Sequence, residues 1–353
     1  MTSAKKNKSF HPGYAIALAW PSTLCKQPGS WYDRPALWLG INKNYYYTAG
    51  HAAVVLVDAI NLKCHYFDFG RYHAPFQYGR VRSSETDHDL AIHTDPIISF
   101  DTNKILNLHT ILNELQNNTS CHGDGALYAS YSRVNFLKAY AKAIELQQAS
   151  PLPYGPFIRS GTNCSRFVNT VIRAGKPEIS DWIRLRFFVP ITPTPMNNVK
   201  ALKHPILLPA TKTNYIRKEI LLHDLNTTMP SPYRHATVPI NAQWVSGEGA
   251  GSWFHLKENN NDYMISRYSP EGKLECQGIF TIAGSTKQFN YYKPFVIEHL
   301  SHCKLVTLSQ DGIKIQLKLK EVHPHHEPDL SNEYHETFMQ GPGSHIHKKV
   351  SVY

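Results

Sequence analysis

Long apolar runs are missing from this 353-residue chain. None approaches the ~18 residues that a membrane-crossing helix requires, so no transmembrane anchor is expected. Cysteine is sparse: positions 25, 64, 121, 164, 276 and 303 include no CxxC pair. That spacing argues against a zinc centre or a disulfide framework and predicts reduced thiols. Acidic residues are outnumbered, 27 against 37 Lys and Arg, for a formal charge of +10. A basic balance favours anionic partners, yet the charge is scattered, with tight clusters only at Lys5, Lys6 and Lys8 and at Lys348 and Lys349. With no zinc finger, RNP-type aromatic motif or basic recognition helix, nucleic acid is not an expected partner. The N-terminal stretch Tyr14–Trp20 is too short for a signal-peptide core and lacks a small-x-small cleavage site after it. A cytoplasmic location follows as the expectation.

Present instead are 42% hydrophobic and 12% aromatic residues, a globular composition. Residues 14–20 (YAIALAW) read as a strand. Residues 51–57 (HAAVVLV) are apolar on both parities, as a central strand covered on both faces would be. A turn over 58–63 returns the chain as a second strand, 64–70, and Leu90–His93 suggest a third. Apolar spacing predicts helices over 103–116, 134–148 and 164–174, the last stopped by Gly175 and Pro177. Strands and helices mix without regular alternation, so the fold class is α+β. Prolines crowd between Pro190 and Pro239 and mark a joining segment. Six strand patterns follow between Trp253 and Lys320, with turns at Pro270-Glu271-Gly272 and Asp311-Gly312. The expected organisation is a catalytic-type domain over 10–190, a Pro-rich joining segment over 191–240, a small antiparallel β-domain over 241–322 and a flexible His-rich tail over 323–353.

Most of the chemistry points to residues 154–175. A Gly-Thr-Asn loop delivers Cys164 to the first turn of a helix, where free N–H groups and the helix dipole favour a thiolate. Cys164, Phe167, Val168, Val171 and Ile172 share one helix face, which turns the thiol toward the sheet. The best general base is His51, set at the head of the buried strand by Gly50. Antiparallel pairing through a turn near 60–61 brings the region 68–71 opposite His51, with diagonal neighbours in reach. Asp68 is therefore the first candidate to orient the imidazole, and His65 the second.

The segment from Asp68 to Arg82 (DFGRYHAPFQYGRVR) offers Arg71, Arg80 and Arg82 as fork-shaped donors, with Tyr72 and His73 between them. It reads either as a cleft rim, with Arg71, Tyr72 and His73 holding an anionic substrate group, or as arginines paired with Glu85, Asp87 and Asp89. Asn163 joins the substrate-binding candidates. Cys25 as a nucleophile is disfavoured by the Lys-Gln-Pro-Gly that follows it. The run from Gly247 to Gly251 lacks the strand–helix context of a phosphate loop and reads as a turn into the β-domain. His299, His302 and Cys303 lack a fourth ligand. No metal and no cofactor are expected.

The pattern Asn163-Cys164-x-x-Phe167-Val168-x-x-x-Arg173-x-Gly175 resembles the nucleophile motif of lecithin retinol acyltransferase-like proteins. These belong to the circularly permuted NlpC-type branch of papain-like thiol enzymes, in which the catalytic His precedes the Cys, as His51 precedes Cys164. The resemblance covers about residues 14–176. It implies a permuted papain-like fold, with Cys164 as nucleophile, His51 as base and Asp68 or His65 as third residue. Ser165 and Arg166 stand where members commonly carry a Glu-His pair. The whole chain is also similar to an uncharacterised two-domain bacterial family. The expected function is a cysteine hydrolase or acyltransferase acting on an amide or ester bond of a peptide-, acyl- or lipid-like substrate. The alternative is a ligand- or partner-binding protein on the same scaffold.

Overall fold

Strands that are apolar on both parities need helices on both sides, and the computed structural model supplies them. It describes residues 10–155, 157–158, 160–210, 225–283 and 289–322. The expected His-rich tail lies outside the described residues. The first lobe contains strands β1 (Pro12–Trp20), β2 (His51–Asp58), β3 (Lys63–Gly70), β4 (Tyr78–Arg82), β5 (Leu127–Asn135) and β6 (Lys203–Leu208). Its main helices are α1 (Leu108–Asn117), α2 (Phe136–Gln148), α3 (Cys164–Ala174) and α4 (Pro195–Ala201). The sheet runs in the order β4-β3-β2-β1-β5-β6, with the two residues Leu152–Pro153 on the outer edge of β4.

One face of this sheet is built from small residues, Ala15, Ala17, Ala19 and Ala52, joined by Val54, Leu56, Phe67 and Phe69. Those alanines leave room for α2 and α3, which bury Ala139, Phe167, Val168, Val171 and Ile172 against them. The other parity presents Ile16, Leu18, Trp20, Ala53, Val55 and Tyr66 to Ile111, Leu112 and Leu115 of α1. Covering both faces removes nearly all of β1 and β2 from water. Each buried Val, Leu or Ile contributes roughly 1.5–3 kcal/mol to that assembly.

The second lobe is a seven-stranded antiparallel sheet formed by β7 (Gln243–Ser246), β8 (Gly251–Asn259), β9 (Asp262–Tyr268), β10 (Leu274–Ile282), β11 (Val296–Ile297), β12 (Leu305–Gln310) and β13 (Ile313–Val322). Its order is β7-β8-β9-β10-β13-β12-β11. In β13 Ile315 and Leu317 are buried in the lobe's core and Lys314, Gln316 and Lys318 face water, while Ile313 at the start of the strand is exposed. The fold class is α+β.

Several local expectations change. Leu90–His93, expected as a third strand, are not one: a 3-10 turn runs over His88–Leu90, next to Asp87, which is tied into a buried ion pair with Arg80. The helix expected from 103 begins at Leu108, after a two-strand ribbon made by Ile98–Ser99 and Lys104–Ile105. Strands β4 and β5 are additional. Within the Pro-rich stretch, α4 packs on the first sheet and β6 pairs with β5, so that part of it belongs structurally to the first lobe. The expectation of six reduced thiols is corrected: Cys276 and Cys303 form a disulfide, leaving Cys25, Cys64, Cys121 and Cys164 free. Cys276 lies in β10 and Cys303 in the loop before β12, 27 residues apart, a pairing that sequence spacing alone does not reveal.

Candidate active site

Gly50 turns the chain into β2 with φ +74, a conformation that L side chains rarely adopt. His51 is therefore the first strand residue, paired with Trp20, whose indole stacks on the imidazole at 5.9 Å between centroids. Trp20 is itself fixed by donating its Nε1 hydrogen to Gln116 Oε1 at 2.7 Å. The β2–β3 register sets Ala53 opposite Asp68, so Asp68 lies diagonally from His51 on the same face. His51 Nε2 and Asp68 Oδ2 are 3.2 Å apart.

Asp68 is fully buried and heavily partnered. Arg82, opposite it in β4, donates Nε to Oδ1 at 3.0 Å and Nη2 to Oδ2 at 2.5 Å. The Tyr66 hydroxyl donates to Oδ2 at 3.1 Å. Burial works to raise the carboxyl pKa, but the Arg82 charge and the His51 hydrogen bond outweigh it and hold the group well below the usual carboxylate range. Asp68 is thus a permanent anion whose geometry is set from three sides.

Cys164 opens α3, and Asn163 caps it by accepting the Arg166 N–H on Oδ1 at 2.8 Å. The sulfur is 3.8 Å from Ser165 Oγ, and His51 and the Ala52 N–H stand close enough to stabilise its thiolate. With Nε2 given to Asp68, His51 has Nδ1 left for the thiol. Burial is the largest influence on the thiol and raises its pKa; the His51 hydrogen bond and charge, Ser165 and Ala52 reverse it, and the net shift is down. For His51 burial likewise opposes charge, but bonds to Asp68 and Cys164 lift its pKa to about 9. A thiol shifted down beside an imidazole shifted up favours a thiolate–imidazolium pair. By contrast burial pushes the Cys25, Cys64 and Cys121 thiols up to about 12.

The structure therefore brings together Cys164, His51 and Asp68. His65, the second candidate, pairs with Leu56 and has the opposite parity; it packs against Phe136 and Tyr140 far along the strand and does not reach His51. Asn163 meets the site through its helix cap. Of the proposed substrate rim, Tyr72 remains beside the site, edge-on to His51 at 6.5 Å. Arg71 is buried and ion-paired with Glu248 at 2.6 Å, and His73 is buried between Arg80 and Ser252. Neither is open to an anionic substrate. Arg80 takes the alternative reading, clasping Asp87 through two bonds of 2.8 Å.

Trp20, Tyr66 and Arg82 were not assigned to this site from sequence. Tyr66 had a visible signal, since it stands two residues before Asp68 on the same face. Cys25 also lies near, its thiol donating to Gly50 O at 3.6 Å. The loop leading into α3 carries Phe157, which packs on Tyr32 and Trp31 at 5.2 and 6.1 Å and is 60% exposed. Among the described residues no three His, Cys, Asp or Glu side chains converge to hold a metal ion. Cys303 is excluded from a ligand role by its disulfide. No helix among these residues is long and apolar enough to cross a membrane.

Comparison with known proteins gives two family matches on successive parts of the chain. Residues 15–179 match the model described as type VI secretion system effector TseH-like, and residues 242–320 match the DUF6695 C-terminal domain. The chain thus fits a two-domain family organisation, and the second match coincides with the β7–β13 sheet. A solved structure, the type VI secretion system effector TseH, aligns over 55% of this chain and 90% of its own, at 17% identity and a TM-score of 0.37. No curated protein sequence matches.

Proposed function

We propose that this protein is a cysteine hydrolase or acyltransferase that cleaves an amide or ester bond through an acyl-thioester on Cys164. The observation carrying this reading is the placing of Cys164 beside the hydrogen-bonded pair His51–Asp68, with Arg82 and Tyr66 fixing its acidic end. The match of residues 15–179 to an effector family supports a cysteine-enzyme assignment at the coarser level. The finer likeness to lecithin retinol acyltransferase-like proteins remains a proposal about the acyl chemistry.

In the proposed reaction the Cys164 thiolate attacks the carbonyl carbon, and the oxyanion is met by the Cys164 backbone N–H at the start of α3. Collapse expels the amine or alcohol, which takes the proton held by His51. Neutral His51 then removes a proton from water or an acceptor, whose oxygen or nitrogen attacks the thioester and frees the thiolate. Asp68 keeps its charge throughout and stabilises each imidazolium. The aromatic group of Trp31, Tyr32 and Phe157, on loops before β2 and α3, suits an apolar portion of a peptide-, acyl- or lipid-like substrate.

Alkylation tests this directly. Iodoacetamide at pH 7 is expected to modify Cys164 at least about tenfold faster than Cys25, Cys64 or Cys121, read by peptide mass spectrometry, and His51→Ala should remove most of that advantage. Uniform, slow labelling of all four thiols would favour a binding protein on this scaffold instead.

For the compartment, the cysteine spacing suggested the cytoplasm, but a Cys276–Cys303 disulfide persists in oxidising surroundings. The effector-family match agrees with action outside the cytoplasm. Non-reducing peptide maps of the protein recovered from its own source should contain the 276–303 cross-link. Recovery of both thiols free would return the protein to a reducing compartment.

A further inference from the structure

The chain leaves β3 three residues past Asp68 in a loop, residues 71–77, that the second lobe grips along its length. Gly249 N–H donates to Arg71 O at 2.8 Å, and Tyr72 forms a parallel bridge with Ala250. The backbones touch so closely that a Cβ on Gly247 would stand 2.2 Å from Arg71 O. The Glu248 carboxylate spans the loop: one oxygen takes Arg71 Nη1 at 2.6 Å, the other the Gln77 N–H at 3.0 Å. Further along, His73 meets Ser252 Oγ at 3.0 Å, and Leu300 N–H donates to His73 O at 2.6 Å.

What the grip presents to the active site is Tyr72. Its ring lies over the Arg82 guanidinium at 3.7 Å, stacks on His122 at 5.1 Å and meets His51 edge-on. We infer that Glu248 is a positioning residue for the Cys164–His51–Asp68 site, acting through Tyr72, so that the second lobe completes the active site. The inference rests on the proposed function. Its physical basis is dielectric: with Tyr72 in place, water is kept from Arg82 and Asp68, and the Asp68 charge reaches His51 with little screening. Release of the loop lets water in, weakens the hold on the imidazolium and makes the Cys164 thiolate harder to form. The charged or titratable groups facing His51 are Cys164 from α3, Asp68 from β3, Tyr72 from the gripped loop, and His122 and Asp124 from the loop before β5. Of the loop groups, His122 is held neutral near pKa 3 by burial and Arg82.

The experiment measures Cys164 alkylation by iodoacetamide from pH 5 to pH 10 in the full chain. In Glu248→Gln the rate should fall about tenfold at pH 6 and stay within about twofold of wild type at pH 10, where either thiol is largely ionised. Tyr72→Ala should reproduce that profile, and Tyr72→Phe, which keeps the ring, should retain the wild-type one. Glu248→Gln leaves a buried arginine without its counter-charge; if it melts too low to assay, the neutral pair R71Q/E248Q carries the same test. A lowered melting temperature with an unmoved pH profile would overturn the inference and leave Glu248 a purely structural residue. If Cys164 in the wild-type chain shows no reactivity below the range of ordinary thiols, the proposed function fails first, and that is visible before any variant is compared.

Discussion

Asp68→Asn is expected to lower the rate of the proposed acyl transfer by about 10²–10⁴-fold, because it removes the charge that makes His51 a strong base and leaves the amide to choose a tautomer. In the wild-type chain the pH profile should be bell-shaped. Its acid limb lies below the ordinary thiol range, since Cys164 is shifted down, and its alkaline limb lies near 9, where His51 loses the proton it must give to the leaving group. Both limbs depend on Asp68. Without that charge, burial is left to lower the His51 pKa, so the alkaline limb should move down; Cys164 loses its imidazolium partner, so the acid limb should move up. The bell narrows and sinks. A profile of unchanged width with only its height reduced would mean that Asp68 organises structure and not charge. The substitution also strands Arg82, whose buried guanidinium has two bonds to that carboxylate. Breaking such a pair costs about 3–5 kcal/mol, so activity must be measured well below the variant's melting temperature. Arg82→Met with Asp68→Asn would separate the two effects, because the double variant has no orphaned charge and still lacks the anion.

The geometry of this site was partly legible in the sequence. The Gly50-His51 junction, the turn near residue 60 and the cysteine at a helix start are local signals, and antiparallel pairing converts the first two into a distance. That argument selected Asp68 over His65 only by proximity to the pairing point; parity completes the choice, since Asp68 shares a face with His51 and His65 does not. Arg82 is visible in the sequence as a fork-shaped donor with its partner left open, because β4 carries two arginines and glycine where strand patterns carry apolar residues. Only the pairing of Asp68 with Arg82 reveals its use. The same holds for β5, whose sequence LYASYSRVN lacks clean alternation and becomes a strand through its pairing with β1. Arg71 and His73 were misread for a different reason. Their partners, Glu248 and Ser252, lie more than 170 residues away in the other lobe, and no local pattern announces a contact of that range. The β-lobe itself was plain from its periodicity; its role against the first lobe was not.

Asp87→Asn is expected to give the largest loss of stability, about 3–5 kcal/mol, read as a lower urea midpoint. This carboxylate is buried between the lobes and neutralises two arginines: Arg80 from β4 through bonds of 2.8 Å to each oxygen, and Arg267 from β9 at 2.9 Å. Arg267 continues to Glu275 at 2.6 Å, Glu275 accepts from Ser252, and Ser252 meets His73, which Arg80 contacts in turn. The polar groups form a closed ring, so an asparagine leaves Arg80 buried without a counter-charge and Arg267 with Glu275 alone. The pH dependence has a definite sign. Burial raises the Asp87 pKa, but Arg80 and Arg267 outweigh it and hold it well below the carboxylate range. A depressed native pKa contributes stability that is fully present above the unfolded value, about 3.9, and drains away as pH falls through the native one. The stability difference between wild type and Asp87→Asn should therefore be constant from pH 8 to pH 5 and shrink below about pH 4. Arg267→Met combined with Asp87→Asn should destabilise by less than the sum of the single variants, because the two changes remove the two ends of one ion pair. Additive losses would instead mean that the two lobes are held by their apolar and backbone contacts, with the ring a passenger in the interface.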